Sequence, residues 1–241
     1  MPTTFPTLIL IGRPAAGKSE IIDFLKKTPE EERRRRFHIG KFQEIDDFPM
    51  LWAWFEQDAI LEKILKKPRM MTNPDGYFLY EYQWHLLIER ICLDYGKFLR
   101  DHEKDPNPPT AILEFARGSE HGGFRAAFDH LSEPILKSSV ILYIRVPYEV
   151  SKFRNRRRFN PARPDSILEH GLPDEKLDRL YKESDWEEIA AANPDHVAIK
   201  GHRVPYAVFV NEPEKTDDSA KIGPHLEAVM KKLWKAKFGR P

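Results

Sequence analysis

Cysteine is almost missing from this chain: Cys92 stands alone in 241 residues. An internal disulfide framework and a cysteine metal cluster are therefore excluded, and such usage fits a reducing compartment. No apolar run approaches the roughly 20 residues of a membrane helix. The short apolar stretch near the N-terminus lacks a secretory pattern. Neither sign of charge dominates, with 39 Lys and Arg against 38 Asp and Glu, so no global charge draws the chain to nucleic acid or membrane. A cytoplasmic protein with no nucleic-acid or membrane partner is expected. Nothing in this balance opposes a homodimer. Internal repeats and low-complexity tracts are also lacking. The run from Glu30 to Arg36 places three acids before four arginines, and reads as a solvated helix with internal ion pairs.

What is present begins at residue 12. Gly12-Arg13-Pro14-Ala15-Ala16-Gly17-Lys18-Ser19 is a complete G-x-x-x-x-G-K-S phosphate-binding loop. It follows the apolar run Leu8 to Ile11 and precedes Ile21-Ile22 and Phe24-Leu25, spaced as one helix face. Strand, loop and helix form the context the motif needs. Glycines let backbone N–H groups converge on anionic oxygens, and a helix N-terminus adds positive dipole. Lys18 is expected to reach the β- and γ-phosphates, and the Ser19 hydroxyl to hold Mg²⁺.

Five apolar runs read as buried parallel strands: Thr7 to Ile11, Phe37 to Ile45, Thr110 to Phe115, Val140 to Val146 and Tyr206 to Val210. Helical patterns separate them, which predicts an α/β fold with crossover connections. Leu226, Val229, Met230 and Leu233 mark a final amphipathic helix, with Pro224 near its start. Two insertions interrupt this order. One spans about 49–109 and carries two helical patterns, Leu51 to Lys66 and Phe78 to His102, around the turn-rich Thr72 to Gly76. The other spans about 159–173 and is rich in proline and glycine.

Several polar groups fall where chemistry is expected. Ligands of open α/β sheets bind beyond the carboxyl ends of strands. Asp46 and Asp47 sit at such an end, placed to serve Mg²⁺ or to accept a proton; a turn or helix cap explains them equally. Glu114 closes the third strand as a candidate magnesium or substrate ligand, and Arg117 follows as an anion clamp. The competing reading is a Glu114–Arg117 ion pair. Arg154, Arg157 and Arg158 share a helix face, while Arg156 points elsewhere. Phosphate between the three guanidinium groups relieves their repulsion; a solvated basic helix end is the other reading. Arg163 lies beyond, in the second insertion. Trp52, Trp54, Phe55, Tyr77, Phe78, Tyr80, Tyr82 and Trp84 fill the first insertion, as subdomain core or as a stacking surface for a planar base. His85, His121 and His130 have no metal-ligand spacing.

Together the phosphate loop, Asp46-Asp47-Phe48, Glu114-Phe115-Ala116-Arg117 and the segment Val146 to Arg158 resemble P-loop kinases of the nucleoside and nucleoside-monophosphate kinase group. That resemblance implies one domain over 1–241, a three-layer P-loop NTPase-type fold, and a five-stranded parallel sheet flanked by helices. It implies a helical acceptor-binding insertion at about 49–109 and a lid at about 154–173. ATP and Mg²⁺ are the implied cofactors. Phosphoryl transfer to a nucleoside, a nucleotide or another small molecule is the implied activity. Residues 12 to 19 with Arg154 and Arg157 would hold the nucleotide, and Ser19 and Glu114 the metal. Lys18, Asp46, Asp47, Glu114, Arg117, Arg154 and Arg158 would act in transfer. An ATP-binding regulator working through a protein partner is the second reading. Two residues depart from the group's pattern: Ala15, where glycine is common, and Glu20, where a hydroxyl residue is common.

Overall fold

A computed structural model describes residues 3–158, 162 and 171–239. Strand β1 (Thr7–Gly12) is buried along its whole length. Its side chains alternate between two cores: Ile9 and Ile11 enter one, Leu8 and Leu10 the other. A strand that feeds both faces must lie inside a sheet covered on both sides. Its neighbours are β3 (Thr110–Phe115) and β4 (Ser139–Arg145), both parallel to it. Beyond β3 lies β2 (Phe42–Asp46), also parallel. Beyond β4 lies β6 (His202–Val210), parallel from Tyr206 onward. These are the five expected strands.

A sixth strand corrects the expectation of a purely parallel sheet. Strand β5 (His196–Ile199) pairs antiparallel with β6 at the edge, which gives the mixed order β2-β3-β1-β4-β6-β5. Lys200 and Gly201 turn the hairpin, both at positive φ, as a two-residue primed turn requires. Lys-Gly is a weaker turn signal than Asn-Gly. Pro205 sits inside β6, and proline argues against a strand when only the sequence is read. The second run also shifts. Phe37 ends helix α2 (Glu30–Phe37), and β2 starts only at Phe42.

Helices cover both faces. On the Leu8 side lie α1 (Lys18–Lys27), α2 and the last helix, α10 (Ser219–Phe238). Its Leu226, Met230 and Leu233 are buried as predicted. The helix starts earlier than its proline, capped by Asp218, whose side chain accepts from the Ala220 N–H. The α2 charges pair internally, Glu30 with Arg34 and Glu32 with Arg36, and Arg36 also reaches Glu227 on α10 at 2.8 Å. On the Ile9 side lie α4 (Tyr82–Asp101), α5 (Gly123–Asp129) and α9 (Trp186–Ala191). Trp186 is fully buried and stacks on Tyr143 with centroids 4.2 Å apart. Burying such a ring contributes about 2–3 kcal/mol.

The first insertion folds as α3 (Phe48–Lys63) and α4, joined by a connection that Asp58 organises. Asp58 is 1% exposed. Its carboxylate accepts from the N–H groups of Met70, Met71 and Thr72 and from the Thr72 hydroxyl. Burial alone raises its pKa; the four donors overcome that and hold it below the usual carboxylate value. Helix α6 (Glu133–Ser138) leads into β4, and α7 (Tyr148–Arg158) and α8 (Asp174–Tyr181) follow that strand. The second insertion, Arg163 included, lies largely outside the described residues. Its two feet are joined by Asn155, whose side chain donates to the Leu172 carbonyl at 2.7 Å and accepts from the Leu172 N–H at 3.0 Å. Among the described residues, no helix is long and apolar enough to cross a membrane.

Candidate active site

The phosphate loop leaves β1 at the sheet's switch point, where β3 and β4 flank β1 on opposite sides. Glycine is required twice. A Cβ on Gly12 would lie 2.7 Å from the Ile144 carbonyl oxygen. Gly17 has φ 113°, and a Cβ there would lie 2.6 Å from the Asn211 amide nitrogen. Ala15 adopts φ 52°, a left-handed conformation that costs a residue with a Cβ about 1–2 kcal/mol. This is the structural consequence of alanine standing where the related loops commonly have glycine.

Three loop carbonyls are held by side chains, two of them from outside the loop. Lys18 Nζ donates to Arg13 O at 3.2 Å, Ser151 Oγ to Pro14 O at 2.8 Å, and Asn211 Nδ2 to Ala16 O at 2.8 Å. The amides of Ala15, Gly17, Lys18 and Ser19 donate to no backbone carbonyl among the described residues. Unpaired donors at the start of α1 form a receptor for anionic oxygens. The Arg13 side chain turns away from this receptor. Its guanidinium donates to the carbonyls of Tyr181, Lys182 and Val146, so Arg13 contributes to the loop through its backbone.

Facing the loop is a cleft of about 160 Å³ lined by Lys18, Ser19, Glu20, Asp46, Asp47, Glu114, Arg117 and Arg158 among others. Strands β2 and β3 end together here, with Asp46 in register with Glu114. Glu114 Oε1 lies 3.9 Å from Lys18 Nζ. Burial raises the Glu114 pKa, against the pull of Lys18. Asp46 accepts from the Phe48 N–H at 3.0 Å, an Asx-type turn at the entry to α3. Burial first, then Glu114 and Asp47, push its pKa up to about 8. Asp47 and Arg117 instead hold each other: Nη1 to Oδ2 is 2.7 Å, and both side chains are buried. Arg117 also donates to the carbonyls of Ala116 and Trp84 and lies over the Trp84 ring. The ion pair anticipated for Arg117 thus exists, with Asp47 rather than Glu114 as partner.

The three arginines of α7 differ in burial and in partners. Arg154 is buried and donates through Nη2 to Asn211 O at 2.9 Å. Its Nη1 has no hydrogen-bond partner. Arg157 pairs with Glu214 at 3.0 Å near the surface. Arg158 lines the cleft beside Lys18. Together with Ala15, Gly17, Glu20, Glu214 and Thr216 they surround a second cavity, of about 180 Å³, on the other side of the loop. Arg156 pairs with Asp174, away from both cavities.

Sequence reasoning missed Asn211. It is fully buried at the carboxyl end of β6. Its backbone N–H donates to Arg145 O, and its side chain joins Ala16, Thr216 and Lys215. Its position, directly after the apolar Val208-Phe209-Val210, was the available signal. Tyr181 was missed as well; it lines the cleft and the aromatic cavity beyond.

That cavity measures about 510 Å³ and opens between α3, α4 and α8. Trp52, Phe55, Tyr77, Phe78 and Trp84 supply rings, while Lys176 and Arg179 stand over Tyr77. It shares Phe48, Leu51, Trp84, Leu172 and Tyr181 with the phosphate-side cleft. Trp54 packs against Phe78, and Tyr80 stacks on Tyr82 at the surface. His85 and His130 stack on each other, and His121 stacks on Trp84. Among the described residues, no three His, Cys, Asp or Glu gather as a free-standing metal site. A hydroxyl with one or two carboxylates is the donor set for Mg²⁺ carried by a polyphosphate; Ser19, Glu114 and Asp46 all line the cleft and would supply it.

No family model matches the chain, and no curated protein matches it. Solved structures with a related course exist. One is a sugar kinase from Janibacter sp. HTCC2649, 14% identical, covering 97% of this chain and 96% of its own, with a TM-score of 0.45. Another is shikimate kinase from Acinetobacter baumannii in complex with shikimate, 14% identical, covering 79% and 78%, with a TM-score of 0.37.

Proposed function

We propose that the protein is a small-molecule kinase, transferring the γ-phosphoryl group of ATP to an acceptor seated in the aromatic cavity. The observation that carries this reading is the continuity of the phosphate-loop cleft with an aromatic-walled cavity through five shared residues. A polyphosphate on the loop and a small molecule among the rings would meet at the ends of β2 and β3.

The loop amides and Lys18 grip the transferring group and stabilise its charge, chiefly by positioning and electrostatics. Ser19 would hold Mg²⁺, with Glu114 and Asp46 on its water side; the ion, when bound, neutralises developing charge on the phosphates. Asp46 lines the cleft at the end of β2, where its carboxylate, once ionised, would receive the acceptor's proton. Arg117 keeps Asp47 and Trp84 in place between cleft and cavity. Arg154, with a free Nη1, and Arg157 wall the cavity on the nucleotide's side.

Lys18→Ala tests the reading. Acceptor-stimulated ATP turnover should fall at least about 100-fold, while far-UV circular dichroism and the denaturation midpoint stay near the parent's. Full activity in the purified variant refutes the assignment. The alternative, an ATP-binding regulator, predicts slow ATP hydrolysis that no small acceptor accelerates.

A further inference from the structure

Resting on that reading, we infer that Ser151 and Asn211 are positioning residues for phosphoryl transfer. They clamp alternate peptide groups of the phosphate loop and so aim the Ala15 and Gly17 N–H groups at the polyphosphate.

Every peptide of the loop is trans. In a trans peptide the C=O and the following N–H point in opposite directions. Ser151 Oγ donates to Pro14 O at 2.8 Å, so the Ala15 N–H of that peptide points away from Ser151. Asn211 Nδ2 donates to Ala16 O at 2.8 Å, so the Gly17 N–H points away from Asn211. Between them the Ala16 N–H is spent inside the loop, on Arg13 O at 3.2 Å. Ala15 and Gly17, whose amides meet no backbone carbonyl among the described residues, line both the cleft and the second cavity. Ser151 and Asn211 line neither, so they act through the loop and not on substrate.

The loop needs such holding. Ala15 is strained at φ 52°, and Gly17, at φ 113°, has no side chain to restrain its rotation. Conformations of this kind persist where the surrounding structure over-determines them. Asn211 suits the task in one orientation. It is fully buried, its amide donates to Ala16 O and Thr216 Oγ1, and its Oδ1 accepts from the Lys215 N–H, each at 2.8 Å. A reversed amide would set oxygen against oxygen at Ala16 and donor against donor at Lys215. Its backbone is held as well: the N–H donates to Arg145 O, and the C=O accepts from Arg154 Nη2, both at 2.9 Å. Ser151, also fully buried, stands three residues before Arg154 on α7. The end of β6 and helix α7 therefore hold the loop through one connected network. Donors fixed in advance need no reorganisation as charge develops on the transferring group, and a misplacement of about 1 Å can cost about 100-fold.

The test uses the full-length protein with a non-hydrolysable ATP analogue and Mg²⁺. Ser151→Ala and Asn211→Ala each remove one clamp. Thr110→Val is the control. It removes a buried hydroxyl that donates to Phe5 O at 2.7 Å, at the opposite end of the sheet. Calorimetry should show affinity at least about tenfold weaker in both clamp variants. In Thr110→Val the affinity should stay at the parent's value while the denaturation midpoint falls. Amide resonances supply a readout that a merely structural role does not move. In the parent the analogue should shift the Ala15 and Gly17 amide protons downfield as they bond to phosphate. Ser151→Ala should lose chiefly the Ala15 shift, and Asn211→Ala chiefly the Gly17 shift. If Asn211→Ala does not fold, Ser151→Ala decides alone. A smaller loss of affinity, parent-like shifts, or an equal loss in Thr110→Val overturns the inference and leaves the kinase reading standing. A parent that does not bind the analogue removes the kinase reading itself, and the inference with it.

Discussion

Separating Asp47 from Arg117 is the sharpest probe of how this site is held. Both side chains are buried, 7% and 5% exposed, and their charges meet at 2.7 Å. Arg117 further fixes the carbonyls of Ala116 and Trp84. Asp47→Ala leaves a buried guanidinium without its counter-charge, and Arg117→Met leaves a buried carboxylate without its own. Removing one member of such a pair costs about 3–5 kcal/mol. The double variant buries no lone charge, so its cost should be near that of one single variant rather than their sum. The coupling energy should therefore be about as large as one single-variant cost, about 3 kcal/mol or more. Urea denaturation followed by tryptophan fluorescence reads this directly. With a slope of about 1–3 kcal/mol per molar urea, a 3 kcal/mol loss moves the midpoint by about 1–3 M. Single variants that each cost under about 1 kcal/mol, or costs that simply add, refute the argument that this pair is a locked structural unit.

Three further outcomes are expected. Ala15→Gly relieves the left-handed strain at φ 52° and should raise stability by up to about 1 kcal/mol, seen as a melting rise of about 2–4 °C; an unchanged or lower melting temperature contradicts the strain. Asp46 has its folded pKa raised to about 8, first by burial and then by Glu114 and Asp47. The folded state therefore holds this proton more tightly than the unfolded chain, and stability is lost as pH rises from about 4 through 8. Asp46→Asn should remove that loss, so its stability advantage over the parent grows across this window and levels off above it, while acceptor phosphorylation falls; a pH-independent advantage in paired melts speaks against it. Asp58→Ala deletes the acceptor of four hydrogen bonds and should cost about 3–5 kcal/mol by chemical denaturation, and a loss below about 1 kcal/mol contradicts its organising role.

Much of the architecture was legible because it rests on local patterning. An apolar run followed by Gly-x-x-x-x-Gly-Lys-Ser has few ways to fold, and β3 occupies the predicted residues Thr110–Phe115. Residues that depend on distant partners were not legible. Asp58 sits on a mostly apolar helix and gains its meaning from a loop twelve to fourteen residues away. Asn211 works across 195 residues on Ala16. The arginines show the limit most clearly. Their spacing placed Arg154, Arg157 and Arg158 on one face, yet burial and neighbouring acids give each a different task. Strand β5 was hidden by its short length and by Pro205 in the strand beside it.

Arg13 links two halves of the catalytic region that the sequence keeps 168 residues apart. Its backbone belongs to the ring that grips phosphate, and its side chain is a strap over the last turn of α8. Lys176, Arg179 and Tyr181 on that helix line the aromatic cavity. A tilt of α8 would therefore pull on the loop through the Arg13 guanidinium, and a shift of the loop would pass back to the cavity wall by the same hydrogen bonds.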